Sequence, residues 1–165
     1  MSETTIETKL IDYLQDAHAM ERDVLVMLSS MISTTTDPEI KQQLEHHHTE
    51  TERHRDLMAA RLEAHGASNS MRKDMQTVAS AMAKGVVDAA RSDKPGKNAR
   101  DGFITEHMEI AAYELLERLA TRAGDTETAS VARELKGEEP AMAAQIDANW
   151  DRFLDLTLQE AGVTA

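Results

Sequence analysis

The side chains with the most chemistry in this chain are acids, imidazoles and one phenol set inside apolar helical patterns. Glu21 lies near the middle of a stripe that runs Ile6, Leu10, Leu14, Ala17, Val24, Leu25, Leu28, Ile32 at about 100° per residue. An ionised carboxylate buried alone is costly, so Glu21 calls for a cation, a proton or several hydrogen-bond donors. A second stripe, Ile40, Leu44, His47, Thr51, Met58, Leu62, brings His47, Glu50 and His54 within about 60° of one another around the axis. Residues three and four apart meet on successive turns. Imidazole beside carboxylate suits iron, manganese or zinc. The stretch FITEHMEIAAYELLERLA, from Phe103 to Ala120, carries Glu106, Glu109 and Tyr113 in the same arc as Phe103, Ile110, Leu116 and Ala120. In a fourth stripe, Val131, Leu135, Met142, Ile146, Phe153, the acids Glu138 and Glu139 straddle the centre line. Glu138 shares its side with Gln145 and Asn149, and it is the fourth-helix acid favoured here.

Each acid has an ordinary explanation as well. Glu21 could bend out to solvent, and HHHTETERH from His46 to His54 could be a surface histidine cluster. His46 and His48 point away from the shared arc, and His107 points away from the Glu106–Glu109 pair. What favours a site is the convergence: four stripes each contribute a carboxylate, at similar depth when the helices are drawn antiparallel. Several carboxylates in one core cannot all be charged and unpaired. Two divalent ions neutralise four of them.

The elements that must position these groups follow from the turn signals. Thr36 and Asp37 before Pro38 read as a helix stop followed by a cap-and-proline start. Gly66 reads as a C-terminal cap, RSDKPGKNARDG over residues 91–102 as a loop, and Gly124–Asp125 as a tight turn with Asp125 as the next N-cap. Long helices are expected at roughly 5–33, 38–65, 98–123 and 126–161, with a shorter one at roughly 71–91. That order fits an all-α, antiparallel four-helix bundle with an extra helix in the crossover between its second and third helices. Residues 1–165 form one domain at this length. The third helix has a second apolar arc, Ile104, Met108, Ala111, Leu115, Leu119, which is expected to face a second subunit.

Composition narrows the field of partners. A net charge of -12 argues against nucleic acid and against an anionic membrane surface. The absence of cysteine excludes disulfides, thiolate catalysis and cysteine-ligated clusters. The N-terminal residues show no secretory signal and no stretch is apolar for long enough to span a bilayer, so a cytoplasmic location is expected.

Three segments, YLQDAHAMERDVL, HHTETERHRDLMAARLEAHG and EHMEIAAYELLERLA followed by AGD, resemble the YciF/YciE-type branch of the ferritin-like superfamily. The resemblance runs from about residue 7 to residue 148, and EHMEIAAY is its most specific part. It implies a ferritin-like bundle, a homodimer, a dimetal carboxylate centre and an association with bacterial stress responses. It implies Glu21, His47, Glu50, Glu106, Glu109 and either Glu138 or Glu139 as metal ligands, while His54 is a candidate ligand from its helical spacing alone. By analogy, Glu50 and one third-helix glutamate bridge the metals, Glu21, Glu138 and His47 are terminal ligands, and Tyr113 supplies a redox-active phenol or a hydrogen bond. The sequence departs from the superfamily pattern of Glu-x-x-His on two helices, since here His47 precedes Glu50 and the fourth helix has no histidine.

Three functions are therefore in play. The first is a protein with two divalent ions, iron first and manganese or zinc next, that oxidises Fe(II) or consumes peroxide or oxygen. The second is a structural or interaction bundle whose acids are protonated or hydrogen-bonded. The third is iron storage in a large cage, ranked last because the resemblance points to a dimeric branch.

Overall fold

The computed structural model describes residues 4–67 and 92–163, and all its regular elements are helices. The helices are α1 (Ile6–Thr34), α2 (Pro38–Ala64), α3 (Lys94–Ala123), α4 (Thr126–Asp147) and α5 (Trp150–Glu160). The segment expected as a helix at 71–91 lies outside the described residues.

The caps explain most boundaries. Thr5 Oγ1 accepts from Thr8 N, and Asp37 Oδ1 accepts from Glu39 N and Ile40 N at 3.0 Å, with Pro38 in the first turn, where no N–H is needed. Asp125 caps α4 by accepting from Thr128 N at 2.9 Å. Gly124 ends α3 at φ 79°, a conformation glycine adopts without cost.

Two boundaries differ from the sequence expectation. Helix α3 begins at Lys94, inside the stretch expected as loop and about a turn before the expected start near residue 98, with Pro95 in its opening turn. The expected single helix 126–161 divides into α4 and α5 at Ala148 and Asn149. Asn149 donates its side-chain Nδ2 to Gln145 O at 2.7 Å and leaves the helical region at φ -120°, ψ 16°. Such local bonding lets asparagine compete with the helical ladder.

Helix α1 packs on α2 and α3, α4 packs on α2 and α3, and α5 packs on α3. Two apolar clusters give the directions. One joins Leu10, Leu14 and Ala17 of α1 to Met58 and Leu62 of α2, Leu116 and Ala120 of α3, and Ala129, Ala132 and Leu135 of α4. The start of α1 thus lies beside the ends of α2 and α3 and the start of α4. Helices α2 and α3 therefore run in the same direction, each antiparallel to both neighbours, so the end of α2 and the start of α3 lie at opposite ends of the bundle. The second cluster, at the far end, gathers Val24, Met27, Leu28, Met31, Ile40, Leu44, Met142, Ile146 and Phe153. Between the clusters lies a polar layer.

Candidate metal centre

The polar layer is built from four helices. Glu21 comes from α1, His47 and His54 from α2, Glu106, Glu109 and Tyr113 from α3, and Glu139 from α4, all essentially buried. The periodicity of α2 explains its share: His47, Thr51, His54, Met58 and Leu62 follow one buried line at spacings of four and three. Thr51 turns its hydroxyl to His47 O at 2.9 Å and leaves the interior to the imidazoles.

These groups form two overlapping constellations. One atom each from His47, Glu106, Glu109 and Glu139 lies within 4.8 Å of the others, and the same holds for Glu21, His54 and Glu139. Glu139 belongs to both. His54 Nδ1 is 3.0 Å from Glu139 Oε1, and His47 Nε2 is 3.2 Å from Glu106 Oε1. Yet these three atoms, His47 Nε2, His54 Nδ1 and Glu139 Oε1, lack a partner in hydrogen-bond geometry, and so do Glu21 Oε2, Glu106 Oε2 and Glu109 Oε2. The atoms are close but not aimed at one another. Buried polar atoms are rarely left so, and atoms that converge on a shared point without bonding one another are what a cation needs.

Electrostatics points the same way. Burial raises the Glu109 carboxyl well above its ordinary value, and Glu21, Glu139 and Glu106 push it further in the same direction. Burial raises Glu106 against the pull of His47, and raises Glu21 to about 7 against the hydroxyl of Tyr113 and the charge of His54. Burial works against a charged His54, but Glu139 and Glu138 outweigh it and hold that imidazole up at about 9. Tyr113 Oη donates a short hydrogen bond to Glu21 Oε1, and burial together with Glu21 raises the phenol well above its usual range. The His54 ring meets the Tyr113 ring edge-on, with centroids 6.5 Å apart. Four buried carboxylates with two imidazoles match two divalent ions in charge and in donor type. The residues present therefore fit such a pair.

Two residues expected as ligands occupy a different place. Glu138, favoured from the sequence over Glu139, is the outer of the two; its side chain is 35% exposed, and Glu139 takes the buried position. One residue along a helix is a rotation of about 100°, so only one of the pair can face the core. Glu138 Oε2 instead accepts from His54 Nε2 at 2.9 Å and pairs closely with Arg53, which also holds Glu134 at 2.9 Å. Glu50, with a side chain 40% exposed, stands at the rim beyond His47, its Oε2 3.5 Å from His47 Nδ1 and its Oε1 3.4 Å from His46 Nε2. Glu50 is off the buried line of α2, and it joins neither constellation. The group shared by the two constellations is Glu139, not Glu50 or a third-helix glutamate as the analogy had it. Glu21, His47, His54, Glu106, Glu109 and Tyr113 stand together in the layer.

Four long helices, the second and third running in the same direction, and a mid-depth layer of buried glutamate and histidine define the architecture of a ferritin-like bundle. The chain matches the family model described as a domain of unknown function (DUF892) over residues 5–159 and belongs to that family. Its fold is similar to a protein from Xanthomonas campestris pv. campestris, with a TM-score of 0.77 at 25% identity over 96% of this chain and 99% of that one. It is also similar to the E. coli stress protein YciF, with a TM-score of 0.72 at 20% identity over 93% and 99% of the two chains. A third match is YcfI of Rhodopseudomonas palustris, with a TM-score of 0.65 at 20% identity over 88% and 95%. Among the described residues no helix is long and apolar enough to cross a membrane.

Proposed function

We propose that the protein binds two divalent ions, iron first and manganese or zinc as alternatives, and acts on Fe(II), oxygen or peroxide. The observation that carries this reading is the set of six buried oxygen and nitrogen atoms that lack hydrogen-bond partners, all on residues of the two constellations, within each of which one atom per residue lies within 4.8 Å of the others. Glu109, Glu106 and His47 would hold one ion and Glu21 and His54 the other, with Glu139 common to the two groups. Iron or manganese held there supplies one-electron chemistry toward oxygen species.

The rest falls to the chain's own side chains. Glu138 accepts from His54 Nε2, which leaves Nδ1 facing the layer, and Glu50 stands in the corresponding place behind His47. Such outer carboxylates fix the tautomer and direction of a ligating imidazole. Tyr113 keeps its proton on Oη and donates it in a hydrogen bond to Glu21, which holds that carboxylate in position. The apolar cluster around Leu10, Leu14, Met58, Leu116 and Leu135 closes the layer on one side.

A role in a stress response is part of the proposal, since the fold is shared with the E. coli stress protein YciF. A homodimer is part of the proposal, because Ile104 and Leu115 on the outer face of α3 are more than half exposed, as expected of a face covered by a second copy. Size-exclusion chromatography separates that dimer from both a monomer and a cage.

The decisive experiment is metal analysis of protein purified without a nickel column and loaded with Fe(II) or Mn(II). The expected result is two ions per chain, one for each constellation, with a higher melting temperature, because a ligand that binds only the folded state stabilises it. Less than about one ion per chain with unchanged melting would leave the structural bundle as the better reading.

A further inference from the structure

A cavity of about 200 Å³ opens at the α5 end of the bundle and reaches inward to Glu106. Its inner walls are Met27, Leu28, Met31, Met142, Ile146 and Phe153. Thr35, Lys94, Asn98 and Gln159 stand among the residues that line it nearer the helix ends. The sequence makes this space by what it leaves out. On α3, Ala99 and Gly102 are one turn apart and both line the cavity, where larger side chains would fill it. A Cβ on Gly102 would stand 3.3 Å from Ile146 Cδ1, so the missing side chain lets the α4 wall close in beside the cavity.

Helix α5 forms the outer wall and is tied in place. Arg152 grips Asp37 at 2.7 and 2.8 Å and also pairs with Glu39, while Gly96 N donates to Thr157 Oγ1 at 2.9 Å. The floor is a carboxylate of the layer, and its Oε2 has no hydrogen-bond partner. The cavity thus abuts the proposed centre from one side only, and it is lined mainly by carbon and thioether sulfur.

We propose that this cavity is a binding pocket for a small uncharged apolar molecule, an aromatic ring or short alkyl chain, held against the Glu106 side of the centre. The size fits, because apolar cavities of about 150 Å³ stay dry and take up benzene or xenon. The chemistry of the inner walls fits as well. Against Met27, Leu28, Met31, Met142, Ile146 and Phe153 a charged ligand would lose its hydration, whereas the flexible methionines adapt to apolar shapes; the charged Lys94 and Glu160 line the cavity nearer the helix ends. The pocket stands on geometry alone, but its adjacency to a metal rests on the function proposed above.

Benzene is the probe. Saturation-transfer NMR on metal-free protein is expected to show benzene binding, and a xenon-pressurised crystal to show density between Met31 and Ile146. Ala99→Leu, which grows into the cavity, should abolish both signals without changing the number of metal ions bound. Ala99→Val serves if the larger residue prevents folding. On Mn(II)-loaded protein, bound benzene should show paramagnetic line broadening that depends on loading. Absence of binding, or binding that survives both filling variants, overturns the pocket. Binding without broadening on fully loaded protein overturns its adjacency to the centre. Failure of Mn(II) to load sinks the metal reading and leaves the benzene arm to decide the pocket.

Discussion

Replacing Glu109 by leucine should have opposite effects with and without metal. In chelator, Glu109 is a buried acid whose burial and acidic neighbours favour its protonated form, and its Oε2 has no hydrogen-bond partner. An unsatisfied buried polar group costs about 1–3 kcal/mol. Leucine has a similar reach and removes that cost while adding apolar burial, so a net gain of about 2 kcal/mol is expected. For a chain of 165 residues that is a rise in melting temperature of about 4–8 °C. With Mn(II) at about a hundred times its dissociation constant, the native protein gains about 2.7 kcal/mol per site. The variant has lost a ligand of one constellation and should lose much of that gain. Differential scanning calorimetry of both proteins, in chelator and in Mn(II), reads all four values. If Glu109→Leu is destabilised in chelator and responds to Mn(II) as the native protein does, the acid is structural and the argument from orphaned atoms is wrong.

Glu138→Gln should leave the bundle folded but weaken metal binding by about 10–100-fold, the usual effect of losing an outer carboxylate behind a ligating histidine, as isothermal titration would show. His65 bridges Glu7 at 2.5 Å and Asp125 at 2.8 Å, with Arg61 also on Asp125. Burial opposes its charge, but Asp125 and Glu7 win and raise its pKa above 6.5. Its contribution is therefore complete below pH 6.5 and is lost as pH rises through the higher folded-state value. Urea midpoints across that window should fall for the native chain and fall less for His65→Gln. Gly96→Ala would place a Cβ 3.0 Å from Thr157 Oγ1 and strain the bond that holds α5. A loss of about 1–2 kcal/mol is expected, with faster hydrogen exchange confined to α5.

Much of the layer was legible because burial follows helical phase. Glu21, His47, Glu106 and Glu109 stand where their stripes predict, since every fourth or third residue around them is apolar. What phase could not resolve was the choice between neighbours at a stripe's edge. Glu138 and Glu139 lie between Gly137 and Pro140, and a proline inside a helix removes one rung of its ladder, so the wheel is least reliable there. Glu50 looked inward because it is three residues from His47; the line through Thr51 to His54 shows the true face only once both imidazoles are accepted as buried. The division at Asn149 had a signal, an asparagine four residues after Gln145, but the apolar repeat running on to Phe153 outweighed it. The cavity left no trace in the stripes, because a space is made by Ala99 and Gly102 being small and not by any residue being present.

The position of the acidic layer between two separate greasy ends has a consequence for how the molecule tolerates change. Each end gathers its own set of helix termini, and Tyr113 is the layer residue that also belongs to one of the clusters. Evolution could therefore retune or even delete the chemistry at mid-height and still inherit a bundle that folds. Conversely, loosening one end need not disturb ligands anchored by the other.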